Sequence, residues 1–142
     1  MKLMMNGAIT LGTLDGANIE IADLAGRDNV KIFGLTEPEV VALQQSGHYF
    51  SWDEYNADRE RLGRCVDELT DTTFSGLSGT FDSIRRELMD NNDHDLVLKD
   101  FHSYVKAWEE LVESYDDTLA WNRMALYNTA NSGHFSSDRT IR

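Results

Sequence analysis

The chain has 142 residues, 41% hydrophobic and 27% charged, which suits one compact domain with a real core and excludes a disordered tail. Twenty-five acidic against 13 basic side chains give a formal net charge of −12, which repels phosphate backbones and anionic membranes. No apolar run approaches the roughly 20 residues a membrane helix requires.

The opening Met1–Gly16 stretch places a lysine before several apolar residues, as a signal peptide does. Asn6, Gly7, Thr10 and Gly12 interrupt it, no small-residue cleavage site follows, and a cytoplasmic protein is expected. Cys65 is the single cysteine, so neither a disulfide framework nor a CxxC zinc site is available.

Residues 8–13 read as a short β-compatible run ending in Leu14-Asp15-Gly16, with Asp15 placed to cap a helix through its carboxylate. That helix is predicted over Ala17–Ala25, with Gly26 as its stop. Val30–Gly34 is rich in β-branched and aromatic residues and reads as a second strand. Thr36, with Glu39 three residues on and Pro38 between, forms a capping-box pattern for a helix that Gly47 closes. Strand, helix, strand, helix in this order predicts a βαβ unit with parallel strands and a right-handed crossover. Two such strands alone leave sheet faces uncovered, so the chain is expected to be part of a larger α/β domain.

From Trp52 onward the pattern is helical. Trp52, Tyr55, Leu62, Val66 and Leu69 trace one face, and Ile84, Leu88 and Met89 mark a short helix after a polar stretch. Phe101, Tyr104, Val105, Trp108, Leu111, Val112 and Tyr115 give the clearest amphipathic helix. A last helix runs through Leu119, Met124 and Leu126 and stops near Gly133. Ser136 or Ser137 is placed to cap a further helix beginning as the sequence stops.

General catalytic and metal motifs are weak. His48, His94, His102 and His134 show no i,i+4 pairing and no neighbouring cysteine, so solvated or capping roles are expected. Asp90–Asp95 opens like a calcium loop, but Asp95 stands where glycine is required and Phe101 where glutamate is; a solvated acidic turn is expected. Gly76–Thr80 lacks the lysine and spacing of a P-loop, and the GxSxG elbow and GxGxxG fingerprint are both missing. Trp108, Tyr115 and Trp121 could stack sugars, but at helical spacing they are expected in the core.

The stretch from Met1 through Lys2, Asn6-Gly7-Ala8 and Gly12-Thr13-Leu14-Asp15-Gly16 to Glu20 resembles the glycogen, starch and maltodextrin phosphorylases. In that family a Glu-Ala-Ser-Gly-Thr-Gly-Asn segment leads into Met-Lys-x-x-(Met/Leu)-Asn-Gly-Ala. The similarity continues through Ile32-Phe33-Gly34 and returns at Ser132–Ile141, which looks like the family's Ser-Gly-x-Phe-Ser-Ser-Asp-Arg-Thr-Ile.

The resemblance implies an α/β, predominantly helical chain, a partial Rossmann-like C-terminal domain of a GT-B-type glycosyltransferase with two or three short parallel strands. Residues 1–50 would be its βαβ-type part and 51–142 its helical part. It also implies that Lys2 carries pyridoxal 5′-phosphate as an internal aldimine, as anchor and positioner. The implied reaction is phosphorolysis of terminal α-1,4-glucosidic bonds by orthophosphate, releasing α-glucose 1-phosphate with retention. The glucan and orthophosphate are the implied partners, with a possible homo-oligomer. The family's glycine-rich loop and phosphate-clamping basic residues would lie upstream of Met1, so the isolated chain is expected to be inactive. The other reading is a stand-alone binding or assembly module that keeps the fold without the chemistry.

Overall fold

The computed structural model describes residues 1–74, 76 and 79–141. Its chain divides into two compact units: Met1–Glu37 with the chain from Ser103 onward, and Pro38–His102.

The first unit starts with a single helical turn, α1 (Lys2–Met5), and then the strand β1 (Leu11–Thr13). Helix α2 (Gly16–Ala25) follows, and a 3-10 turn (Arg27–Asn29) leads into β2 (Lys31–Phe33). The strands pair in parallel, Leu11 opposite Lys31, Gly12 opposite Ile32 and Thr13 opposite Phe33. The expected strand–helix–strand unit is therefore present, with strands shorter than the sequence suggests. Asp15 holds the position before α2, but its carboxylate makes no capping hydrogen bond. The loop is closed instead by Asn18, whose side-chain amide donates to the Thr13 carbonyl at 2.9 Å. Gly26 ends α2 at φ 86°, in the left-handed region that glycine enters without a steric penalty.

The core of this unit comprises Met4, Ile21, Ala22, Ala25 and Val30, with Leu14, Ile32 and Phe135 packed against it. Helix α8 (Thr118–Asn131) covers α1 and α2 and ends in a 3-10 turn (Ser132–Phe135). Asp117 caps α8, its Oδ1 accepting from the N–H groups of Leu119 and Ala120 at 3.1 and 3.0 Å. Helix α9 (Ser137–Ile141) follows, and the Ser136 hydroxyl accepts from the Asp138 N–H at 3.3 Å, where a cap was expected.

The second unit contains nearly all of α3 (Glu37–Ser46), which has Pro38 in its first turn and ends before Gly47 at φ 65°. Helix α4 (Ser51–Ala57) breaks at Asp58, whose carboxylate accepts from the Arg61 N–H at 3.0 Å. A π-helical turn (Arg59–Gly63) joins it to α5 (Arg64–Glu68), and α6 (Asp82–Met89) follows. Tyr55, Leu62, Val66, Met89 and Leu98 form the core, with Leu88 and Phe101 against it. Leu98 and Phe101 lie on α7 (Val97–Asp116), the 20-residue helix the periodicity predicted.

Several apolar positions expected inside are on the surface. Trp52, Ile84, Leu119 and Leu126 are exposed, as are Trp108 (49%) and Tyr115 (66%), while Trp121 is half-buried. The buried line of α7 is the narrower Leu98, Ala107 and Leu111, so the aromatic positions beside it fall outside the chain's own core. Tyr115 and Trp121 pack edge to face with centroids 5.0 Å apart.

Asp90–Asp95 is exposed at every position but one, as the solvated turn expected would be, and Asp93 is the exception. Asp93 is buried and accepts from the N–H groups of Val97 and Leu98 at 3.0 and 2.7 Å and from the Tyr49 hydroxyl at 2.7 Å. Asn92 accepts from the Ser51 N–H at 2.8 Å and donates to the Tyr49 carbonyl at 2.9 Å. Asn92, Asp93 and Leu96 all have positive φ, which Asn and Asp tolerate better than most residues. The run thus caps α7 and ties it to the start of α4. The Gly76–Thr80 loop falls partly outside the described residues.

Candidate functional site

Lys2 is the residue on which the resemblance turns, and α1 sets its position. Two residues on, Met4 is 1% exposed and enters the first unit's core, which is worth roughly 1.5–3 kcal/mol for a side chain of this size. The turn is closed by the Asn6 N–H donating to the Leu3 carbonyl at 2.9 Å and the Gly7 N–H to the Met4 carbonyl at 3.0 Å. The Asn6 side-chain amide adds a bond to the Lys2 carbonyl at 2.9 Å. Lys2 therefore stands on a turn docked by its neighbour, with Met1, Leu3 and Met5 exposed around it.

Gly7 permits the close approach of this segment to α8. It sits at φ 79°, and a β-carbon added there would meet the Ala125 Cβ at 3.4 Å and the Thr129 Oγ1 at 3.5 Å. The same α1 turn lies against the 3-10 turn Ser132–Phe135. The fold thus brings the two stretches that carry the resemblance, at opposite ends of the sequence, to one place.

The Lys2 side chain is exposed, and its amine makes no hydrogen bond or ion pair among the described residues. The other described lysines include Lys31, paired with Glu110 at 3.5 Å, and Lys99, paired with Glu54 at 2.6 Å. An exposed amine without a competing carboxylate, on a turn fixed by a buried side chain, fits covalent attachment of an aldehyde cofactor. A four-residue turn supplies no phosphate site of its own, so the fit extends to the attachment point alone.

The histidines stay apart. His102 faces Asp58 at 3.8 Å, His134 meets the Arg139 guanidinium, and His48 and His94 are exposed. Among the described residues no group of three or more His, Cys, Asp or Glu side chains is placed to hold a metal.

The sequence reading missed Asn128. It is fully buried on α8, and its side-chain amide donates to the Asn29 carbonyl at 2.8 Å and the Met124 carbonyl at 3.0 Å, tying α8 to the turn before β2. Its Oδ1 is buried without a hydrogen-bond partner. No local signal singled it out, since α8 also carries Asn122 and Asn131.

The sequence matches known proteins along its whole length. A sequence model of the carbohydrate phosphorylase family matches residues 1–142. Glycogen phosphorylase of Bacillus subtilis (strain 168) is 46% identical over 142 residues, covering 100% of this chain and 18% of that protein. Glycogen phosphorylase of Synechocystis sp. is 46% identical over 146 residues, covering 100% of this chain and 16% of its own length. The human liver form is 38% identical over 142 residues, again covering 100% of this chain and 16% of its own length. The chain therefore spans less than a fifth of each of these relatives. No described helix is long and apolar enough to cross a membrane. With both terminal stretches packed together and the match unbroken between them, the chain belongs to the carbohydrate phosphorylase family.

Proposed function

We propose that this chain is the cofactor-carrying segment of the C-terminal domain of an α-glucan phosphorylase, with Lys2 holding pyridoxal 5′-phosphate. The observation that carries the reading is the docked turn of α1, which presents an unpaired amine beside the family's closing stretch. Residues 1–50 form the βαβ-type part of that segment and 51–142 its helical part.

Bound there, pyridoxal phosphate supplies a phosphate group for acid/base exchange with the substrate phosphate. This chain's contribution is positional. Met4 fixes the turn, Gly7 sets its distance from α8, and Lys2 defines the attachment point; holding a group in place is a substantial part of catalysis. The reaction is phosphorolysis of terminal α-1,4 bonds of a glucan by orthophosphate, giving α-D-glucose 1-phosphate. The working enzyme is cytoplasmic and assembles as a homo-oligomer. Because a four-residue turn lacks a phosphate clamp, the 142 residues alone are inactive.

The test is a chimera in which this chain replaces the matching segment of the Bacillus subtilis enzyme. The chimera releases glucose 1-phosphate from maltodextrin and orthophosphate, the isolated chain does not, and Lys2→Ala in the chimera abolishes release. A folded chimera without activity, or one indifferent to Lys2→Ala, refutes the reading.

A further inference from the structure

Asn128 is buried at 0% exposure on α8, and its amide reaches in two directions. It donates back one turn to the Met124 carbonyl at 3.0 Å and across to the Asn29 carbonyl at 2.8 Å, 99 residues away in sequence. With the amide turned over, its oxygen would face both carbonyls, so the orientation is fixed. The same orientation leaves Oδ1 buried without a partner, which opposes folding. What an aliphatic side chain could not supply here is direction. We propose that Asn128 is a positioning residue for Lys2, an inference that rests on the reading of Lys2 given above.

Apolar contact is non-directional, so packing alone lets one helix slide against another. A hydrogen bond at 2.8 Å is lost when it stretches by about 1 Å. An α-helix rises about 1.5 Å per residue, so a shift of α8 by one residue breaks the bond to Asn29. That bond therefore sets where α8 lies along the turn before β2.

The residues whose position is set in this way form the wall behind the Lys2 turn. Ala125 and Thr129 flank Asn128 on α8, and a β-carbon on Gly7 would meet them at 3.4 and 3.5 Å. The 3-10 turn Ser132–Phe135 continues from the end of α8, with the Ser132 hydroxyl donating to the Thr129 carbonyl at 2.7 Å, and it also lies against α1. A slide of α8 would thus move both supports of α1 together. Misplacement of a reacting group by about 1 Å can lower a rate about 100-fold.

The test uses the chimera carrying this chain in the Bacillus subtilis enzyme, loaded with pyridoxal 5′-phosphate. Asn128→Ala removes both bonds. Asn128→Ser, the milder change, keeps a hydroxyl for the Met124 carbonyl one turn back and loses only the reach to Asn29. Met124→Ala removes buried packing from the same helix, leaves the tether in place and controls for lost stability. In both Asn128 variants borohydride still labels Lys2, while the visible circular dichroism of the bound cofactor falls by about half. Their kcat drops about 10- to 100-fold, with KM for maltodextrin within about twofold of the parent. Met124→Ala, compared at a temperature where all variants are folded, keeps the dichroism and kcat of the parent. The proposal is overturned if the folded Asn128 variants match the parent in both readouts, or if Met124→Ala loses as much as they do. A parent chimera without a label on Lys2 overturns the Lys2 reading and this inference together; a labelled parent with unaffected Asn128 variants overturns this inference alone.

Discussion

Gly7 holds its backbone at φ 79° against α8, where a β-carbon would stand 3.4 Å from the Ala125 Cβ. This contact sets how closely the Lys2 turn approaches the helix behind it. Gly7→Ala forces a side chain into a left-handed conformation, at roughly 1–2 kcal/mol, and into a contact with little room to relax. Gly7→Val is expected to cost more, because a branched side chain fits both constraints less well. Urea unfolding of the two variants measures the difference.

Met4 and Leu3 are neighbours with opposite environments, 1% and 75% exposed. Met4→Ala should destabilise the chain by roughly 2–5 kcal/mol through the cavity left among Ile21, Ala22 and Val30. Leu3→Ala should stay within about 0.5 kcal/mol of the parent, as surface substitutions do. Equal effects in thermal or urea unfolding would mean that α1 is not docked through Met4.

Much of this was legible in the sequence because it rests on local chemistry. The strands around Ile32, the stop at Gly26, the start of α9 after Ser136 and the long α7 follow from propensity, periodicity and capping. Burial was read less well. Trp108, Tyr115 and Leu119 satisfy the helical spacing of a core, yet spacing reports that a face is apolar and cannot report what covers it. The burial of Asp93, within a turn that is otherwise exposed, was missed for a related reason. Its carboxylate is satisfied by Tyr49, Val97 and Leu98, and the Tyr49 partner lies 44 residues away, beyond any local pattern. The proposal for Lys2 rests on its flanking residues in the sequence, whereas the meeting of the two terminal stretches required the fold.

Asp93 links the start of α7 to Tyr49. Asp93→Ala removes the acceptor of two backbone N–H groups and strands the Tyr49 hydroxyl, for a cost of roughly 2–4 kcal/mol. Asp93→Asn keeps an acceptor oxygen in place and should recover part of that loss. Comparison of the two by urea denaturation separates the lost cap from the lost packing.

Burial, followed by the hydrogen bond to the Asp93 carboxylate, holds the Tyr49 phenol well above its ordinary range. Tyr55 is raised in the same direction, by desolvation and then by its bond to Asp67. In the unfolded chain both phenols ionise near pH 10. Each contributes stability that is fully present below that pH and is lost as pH rises through the folded-state value. Tyr49→Phe should cost about 1 kcal/mol at pH 7 and make stability fall less steeply above pH 10. Unfolding free energies measured from pH 7 to 11 check both effects, with Tyr55 accounting for part of the remaining slope.

Reduction of the cofactor-loaded chimera tests the account most directly. The chimera carrying this chain in the Bacillus subtilis enzyme is incubated with pyridoxal 5′-phosphate, reduced with borohydride, digested and mapped by mass spectrometry. The account predicts a single reduced pyridoxyl group on Lys2, with Lys31, Lys99 and Lys106 unmodified. A label on another lysine, or one spread over all four, would contradict it.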